Sequence, residues 1–146
     1  MDPETAAAQL RSAQHQRDLI ADRSASPPGY HVMLGIMVGL FVASSYFQEL
    51  LPRMTVIALF LLGCGGLVLY YRRTKGIWIN GNRPGPAGRI ATVGALAAAA
   101  LYVIGYTAGH WWPVVPLICG VIAAIEMTVT GYRWDAVYAK ELRSRQ

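Results

Sequence analysis

Four apolar runs alternate with short polar segments along most of the chain. They cover residues 31–47, 54–71, 90–106 and 112–130, and the only charged side chain inside them is Glu126 in the fourth. Each run has about 17–20 residues, enough for a helix to cross about 30 Å of hydrocarbon. None shows the polar face that a helix on the surface of a soluble protein carries. The pattern therefore predicts four transmembrane helices.

The segments between these runs determine how the helices are arranged. The segments 48–53 and 107–111 are so short that the helices they connect must be adjacent and antiparallel. We therefore predict an all-α membrane protein with a transmembrane domain at residues 31–131, built as two antiparallel hairpins. A basic cytosolic loop, residues 72–89, joins the two hairpins.

The two ends of the chain predict helices outside the membrane. Asp2 and Pro3 are typical of a helix start, and Pro27 and Pro28 of a helix end. Residues 1–30 are therefore interpreted as a cytosolic amphipathic helix with a Pro-rich link, or alternatively as a solvated arm. Residues 132–146 predict a cytosolic C-terminal helix, which extends the fourth span or lies on the membrane surface.

Basic residues predict the orientation. In the four-span arrangement every Lys and Arg except Arg53 falls on the side of the termini and the central loop, so that side is expected to be cytoplasmic. The net charge of +5 comes from residues at the ends of apolar runs rather than from a separate patch. This distribution favours contact with anionic lipid headgroups and argues against nucleic acid as a partner.

Composition narrows the function classes. The chain is 54% hydrophobic and only 14% charged, which excludes an ordinary soluble surface. Cys64 and Cys119 lie inside apolar runs without CxxC spacing, and His31 and His110 fall at opposite ends of their spans. No phosphate-binding glycine loop is present. No metal site and no cofactor are predicted.

Small residues predict where helices pack closely, because backbones without Cβ bulk approach each other in lipid. Gly35 and Gly39 form a GxxxG pair in the first run. Similar positions in the other runs are Gly65, Gly66, Gly94 and Gly120. Packing within the chain is the favoured interpretation, and homodimerisation through Gly35 and Gly39 is the alternative.

Glu126 is the candidate polar site, because a carboxyl group in hydrocarbon is costly without a partner. It lies seven residues before Arg133, about 10 Å from the predicted cytoplasmic boundary. The expected partners are Arg89, Arg72 and Tyr70. The structural interpretation is a paired carboxylate near the membrane edge, and the functional interpretation is a proton- or cation-coupled site.

One motif in the central loop resembles a known group of proteins. The segment Arg72-Arg73-Thr74-Lys75-Gly76-Ile77-Trp78-Ile79-Asn80-Gly81-Asn82-Arg83 is similar to a pattern found in uncharacterised small four-span integral membrane proteins of actinobacteria. The approach to the first span, Pro28-Gly29-Tyr30-His31, is similar to theirs as well. The resemblance implies four spans and a bacterial plasma membrane, and it implies no activity.

Three functions remain open. The favoured one is a non-enzymatic accessory, assembly or regulatory membrane protein that binds a protein partner through its basic cytosolic segments. The alternative is a small oligomeric transporter or channel that uses Glu126. The third is a membrane-embedded enzyme acting on lipid or isoprenoid, for which the polar candidates are Glu126, Arg72, Arg89, Asn80 and Asn82.

Overall fold

The computed structural model describes residues 26–76 and 84–144, together with positions 7, 9, 11 and 12. Within these ranges the chain is helical almost throughout and contains no strand. The helices are α1 (Tyr30–Ala43), which continues as a 3₁₀ turn (Ser44–Tyr46), α2 (Leu50–Lys75), α3 (Pro86–Ala108) and α4 (Val115–Ser144). Most of the predicted N-terminal helix and residues 77–83 of the central loop lie outside the described residues.

Among the described residues, three helices are long and apolar enough to cross a membrane, namely α2, α3 and α4. The helix α1 with its 3₁₀ turn is a shorter apolar element, Tyr30–Tyr46, about 27 Å long. The all-α prediction is confirmed, and the lengths of three helices are those of a membrane protein.

The helices continue past the apolar runs at their polar ends. Arg72, Arg73 and Lys75 form the last turn of α2, where cations interact favourably with the negative end of the helix dipole. Gly76 follows in a left-handed conformation, φ 70°, and its N–H donates to the carbonyl of Arg72 at 2.8 Å. Pro86 begins α3. The basic residues at 72 and 89 are therefore helical, although the sequence assigns them to the loop.

The fourth helix is the centre of the bundle, because α1 and α3 each make their largest contact with it. Both lie antiparallel to α4. A Cβ on Gly39 would lie 2.7 Å from the Cβ of Ala124, and one on Gly120 would lie 2.7 Å from the Cβ of Ala43. Small residues thus bring the α1 and α4 backbones together. The main partner of α1 is α4, rather than its predicted hairpin neighbour α2.

The core lies among α1, α3 and α4, with one ring of α2 against it. Its buried side chains are Val38, Val42, Ala98, Cys119 and Ala123. The ring of Phe41 stacks on Phe60 from α2 at 4.8 Å and on Tyr102 from α3 at 5.1 Å. These rings tie α2 to the rest of the bundle.

A second cluster joins the end of α4 to the start of α3. The rings of Trp134 and Tyr138 stack at 4.9 Å and, with Ala87, form a buried group. One turn further along α4, Oε1 of Glu141 accepts a hydrogen bond from the N–H of Ala87 at 2.6 Å. A carboxylate at this position satisfies one exposed amide of the α3 N-terminus and suits its positive dipole. This contact keeps α4 helical beyond the apolar run.

Candidate functional site

Glu126 lies in the contact between α3 and α4 and is half-buried. Its Oε1 accepts a hydrogen bond from Oγ1 of Thr130, one turn along the same helix, at 2.8 Å. A Cβ on Gly94 would stand 3.3 Å from that oxygen, so the glycine gives the carboxyl group its space. Oε2 is buried and has no hydrogen-bond partner among the described residues. Glu126 is therefore held locally by a hydroxyl.

The three predicted partners of Glu126 do not reach it. Tyr70 is exposed on α2, and its hydroxyl donates to the carbonyl of Pro28 at 3.2 Å. Arg72 and Arg89 are exposed at the ends of their helices, and neither forms a salt bridge within residues 26–76 and 84–144. The structure does not bring the four candidate residues together. What it brings together instead is a different polar group at the same end of the bundle.

The small residues fall into two groups. Gly35, Gly39 and Gly120 lie in the contact between α1 and α4, and Gly94 lies between α3 and α4. Gly65 and Gly66 are different, since a Cβ at either position would meet nothing within 4 Å. The GxxxG face of α1 is thus occupied by α4 of the same chain, whereas the glycine pair of α2 is uncovered.

A hydrogen-bonded cluster that sequence reasoning missed joins the start of α1 to α4. Nε2 of His31 lies 2.8 Å from Oδ2 of Asp135. The same carboxylate accepts from the N–H of Ser26 at 3.0 Å and, through Oδ1, from its hydroxyl at 2.9 Å. A carboxylate with three donors around it is an acceptor only, so Nε2 of His31 carries the hydrogen. We call these three residues the His31–Asp135 cluster.

The imidazole of His31 is enclosed, with 5% of its surface exposed. Tyr30 and Tyr132 contact it edge-on, with ring centroids 5.4 and 5.0 Å away. The ring packs directly on Gly131 of α4, and a Cβ at that position would overlap Nδ1 of the ring. Nδ1 has no hydrogen-bond partner among the described residues. The ring is therefore fixed in place by one hydrogen bond and by close packing.

The geometry of the cluster is structural rather than nucleophilic. In a catalytic triad the hydroxyl bonds to the histidine and the carboxylate orients that histidine. Here the hydroxyl of Ser26 donates to the carboxylate of Asp135 rather than to His31, so the histidine is not placed to activate that hydroxyl. In the described part of the chain no group of three or more His, Cys, Asp or Glu side chains is arranged to hold a metal ion.

A cavity of about 330 Å³ lies beside the cluster. Its volume falls in the range of small-molecule sites, about 300–1,000 Å³. All four helices contribute to its wall. The apolar part includes Val38, Ala95 and Met127, and the polar end includes Ser26, His31 and Trp134. Trp134 is 8% exposed, and its Nε1 has no partner among the described residues. Glu126 does not line this cavity.

No protein-family model, curated protein or solved structure matches this chain. Its function is therefore inferred from the described residues themselves.

Two signals in the sequence bear on the His31–Asp135 cluster. Ser26 and His31 flank the Pro-Pro-Gly turn before α1, and Asp135 follows the fourth apolar run. An antiparallel pairing of the first and last runs puts these residues at one level. The sequence does not reveal that pairing, because the sequence predicts the first run to pair with the second.

Proposed function

We propose that this chain is a non-enzymatic integral membrane protein, of accessory, assembly or regulatory type, whose α2 binds a transmembrane helix of another membrane protein. The observation that carries the proposal is the exposure of α2. Of its 26 residues only Leu67 and Tyr71 are buried, whereas α1 and α3 are both anchored on α4. Because α2 buries so few residues against its own chain, most of its surface is free to contact a second protein.

The uncovered glycine pair of α2 adds to this proposal. Glycine lowers helix stability by about 1 kcal/mol relative to alanine, and two in succession bring no gain where they face only lipid. Against another helix they allow the close backbone approach that stabilises association in membranes. The partner contact is therefore centred on Gly65 and Gly66. The exposed basic side chains at the end of α2, Arg72 and Arg73, extend it toward the polar side.

The proposed topology has four spans, with both termini in the cytoplasm of a bacterial cell and the chain in the plasma membrane. Support for the first span comes from the pairing of α1 with α4. His31 contacts Gly131 and Asp135, and Ala43 contacts Gly120, so α1 runs beside the apolar part of α4. The cytoplasmic side is inferred from the Lys and Arg distribution. Membership of the actinobacterial four-span group remains part of the proposal and rests on residues 72–83.

The test is affinity purification from native membranes with Gly65→Leu as the probe. The variant places a side chain in open space, so it leaves the fold intact while blocking close approach of a partner helix. We expect that a protein which copurifies with the wild-type chain does not copurify with Gly65→Leu. Ala99→Leu, an exposed position on α3, is the matched control and retains it. Equal recovery of every copurifying protein with both variants contradicts the proposal.

The transporter alternative rests on Glu126 alone, through its unpartnered Oε2. Its hydrogen bond to Thr130 and its absence from the cavity wall favour the structural interpretation. Solute flux into proteoliposomes that disappears in Glu126→Gln, with the protein still folded, is the result that favours transport over the accessory function.

A further inference from the structure

The cavity beside the His31–Asp135 cluster has features that the proposed contact through α2 does not use. It is lined by apolar side chains along one part and by polar ones at one end. Val38, Ala95 and Met127 line the part that lies toward the middle of the helices. His31, Tyr71 and Trp134 line the part toward the basic end of the bundle. A ligand that matches this lining has an apolar body and a polar head.

The polar end of the cavity calls for a hydrogen-bond acceptor. An indole N–H is a donor only, and Nε1 of Trp134 is buried without a partner among the described residues. A buried donor left without an acceptor costs about 1–3 kcal/mol. The carboxylate of Asp135, which accepts from His31 and Ser26, does not meet this need, because Nε1 of Trp134 has no acceptor within hydrogen-bond distance among the described residues. Ester and phosphate oxygens of a lipid are acceptors of the required kind.

Charge complementarity selects the class of head group. Three arginines adjoin residues of the cavity wall. In the sequence Arg72 follows Tyr71 and Arg133 precedes Trp134, while Arg89 lies two residues before Ala91 and lines a neighbouring groove. All three are exposed, and none forms a salt bridge with a described residue. Positive charge without a protein counter-ion at the end of the bundle where the polar part of the cavity lies suits an anionic head group.

We propose that this cavity binds one acyl chain of an anionic phospholipid, with its phosphate toward the basic end of the bundle and its ester oxygens near Trp134. A phospholipid is favoured over a water-soluble anion because most of the lining is apolar, and over a zwitterionic lipid because of the three unpaired arginines. The site shares Arg72 with the proposed α2 contact but does not use Gly65 or Gly66, since its lining comes from Tyr71 and from α1, α3 and α4.

Native mass spectrometry of the purified full-length chain tests the proposal. The protein is incubated in detergent with dioleoyl-phosphatidylglycerol or with dioleoyl-phosphatidylcholine at equal concentration. We expect one phosphatidylglycerol to be retained and phosphatidylcholine to be retained less. Ala95→Leu fills the apolar part of the cavity and is expected to lose the retained lipid. Ala99→Leu, on the same helix and outside the cavity wall, keeps it.

Two further variants separate a lipid site from a folding defect. Arg72→Gln with Arg89→Gln alters exposed side chains only, and it is expected to remove the preference for phosphatidylglycerol. Trp134→Phe keeps one aromatic ring and removes the indole N–H, so lipid binding should weaken about two- to tenfold, the effect of one neutral hydrogen bond. Equal retention of the two lipids by the wild-type chain, or unchanged retention by Ala95→Leu, overturns the proposal.

Discussion

Asp135 determines the position of the start of α1 through three hydrogen bonds. Its carboxylate accepts from His31, from the hydroxyl of Ser26 and from the backbone N–H of Ser26. Only 16% of the Asp135 side chain is exposed, so these bonds are partly shielded from water. Hydrogen bonds to a charged group contribute about 1.5–3 kcal/mol each, more than neutral ones. Asp135 of α4 thus binds both Ser26, which precedes α1, and His31, which lies in its first turn.

Replacing Asp135 is predicted to destabilise the fold. Asp135→Ala leaves Nε2 of His31 buried without its acceptor, and a buried group without a partner costs about 1–3 kcal/mol. The midpoint of thermal unfolding in detergent should fall. It can be followed with a thiol-reactive dye, because Cys119 is buried in the core and becomes reactive on unfolding.

Asp135→Asn is the control for this prediction. It keeps one side-chain oxygen as an acceptor and removes the negative charge, so its unfolding midpoint should lie between those of Asp135→Ala and the wild-type chain. A midpoint for Asp135→Ala equal to that of the wild type would mean that the cluster does not stabilise the start of α1.

The cluster also marks the limit of prediction at this scale. His31 and Asp135 are 104 positions apart, and each has an ordinary explanation in its own neighbourhood, as an interfacial histidine and as a polar residue on the C-terminal helix. Glu126 stands out in the sequence because it is the only charge inside an apolar run. Its actual partner, Thr130, lies one turn away and carries no charge.

Helices were predictable because their apolar runs are long, whereas their packing faces were not. In α1 and α2 apolar residues occur on all sides, so periodicity does not single out the buried side. Small residues indicate where a helix could be closely approached, but they do not identify which helix approaches it. Gly39 meets α4, while Gly65 meets nothing within 4 Å. The helices extend past the runs because polar residues stabilise their ends: basic side chains suit the last turn of α2 before Gly76 ends it, and Glu141 of α4 contacts the start of α3.

The same substitution at two glycines is predicted to destabilise the fold at one position and to change it little at the other. In Gly39→Leu the new Cβ meets the carbonyl oxygen of Gly120 and the Cβ of Ala124, both at 2.7 Å, so the α1 and α4 backbones must separate. Overpacking of this kind costs typically about 1–3 kcal/mol. Gly65→Leu enters open space and should change stability by no more than about 1 kcal/mol.

Thermal unfolding of both variants in one detergent measures the difference. The Gly39→Leu midpoint should fall below that of the wild-type chain, and the Gly65→Leu midpoint should not. Equal destabilisation of the two would show that α2 is packed more tightly within the bundle than its exposed glycines indicate.

At the scale of the whole molecule, α4 holds α1 and α3 together, although α1 is its most distant helix in chain order among those described. The helix α1 packs along the apolar part of α4, from Gly120 to Gly131, and α3 packs along the same helix from a second side. If α4 spans the bilayer, α1 lies at the same depth and spans it too. The short length of α1 is compatible with this depth, because its 3₁₀ turn extends the apolar element to Tyr46.

Four spans predict that the two termini lie on one side of the membrane, whereas three spans put them on opposite sides. We expect epitope tags at Met1 and Gln146 to be digested together by protease in inside-out vesicles and to be protected together in right-side-out vesicles. Digestion of one tag and protection of the other in the same vesicles would mean that α1 does not cross the membrane.

The central position of α4 has a consequence for biosynthesis. During translation α1 leaves the ribosome well before α4, since more than 70 residues separate Ala43 from Val115. At about 5–20 residues per second this interval lasts on the order of several seconds. The hydroxyls of Ser44 and Ser45 have hydrogen-bond partners during this interval, because each donates to a carbonyl of its own helix. The imidazole of His31 lacks its carboxylate partner during this interval, because Asp135 has not yet been synthesised. A newly made α1 therefore needs the membrane interface or the insertion machinery to hydrate that imidazole until the last helix arrives.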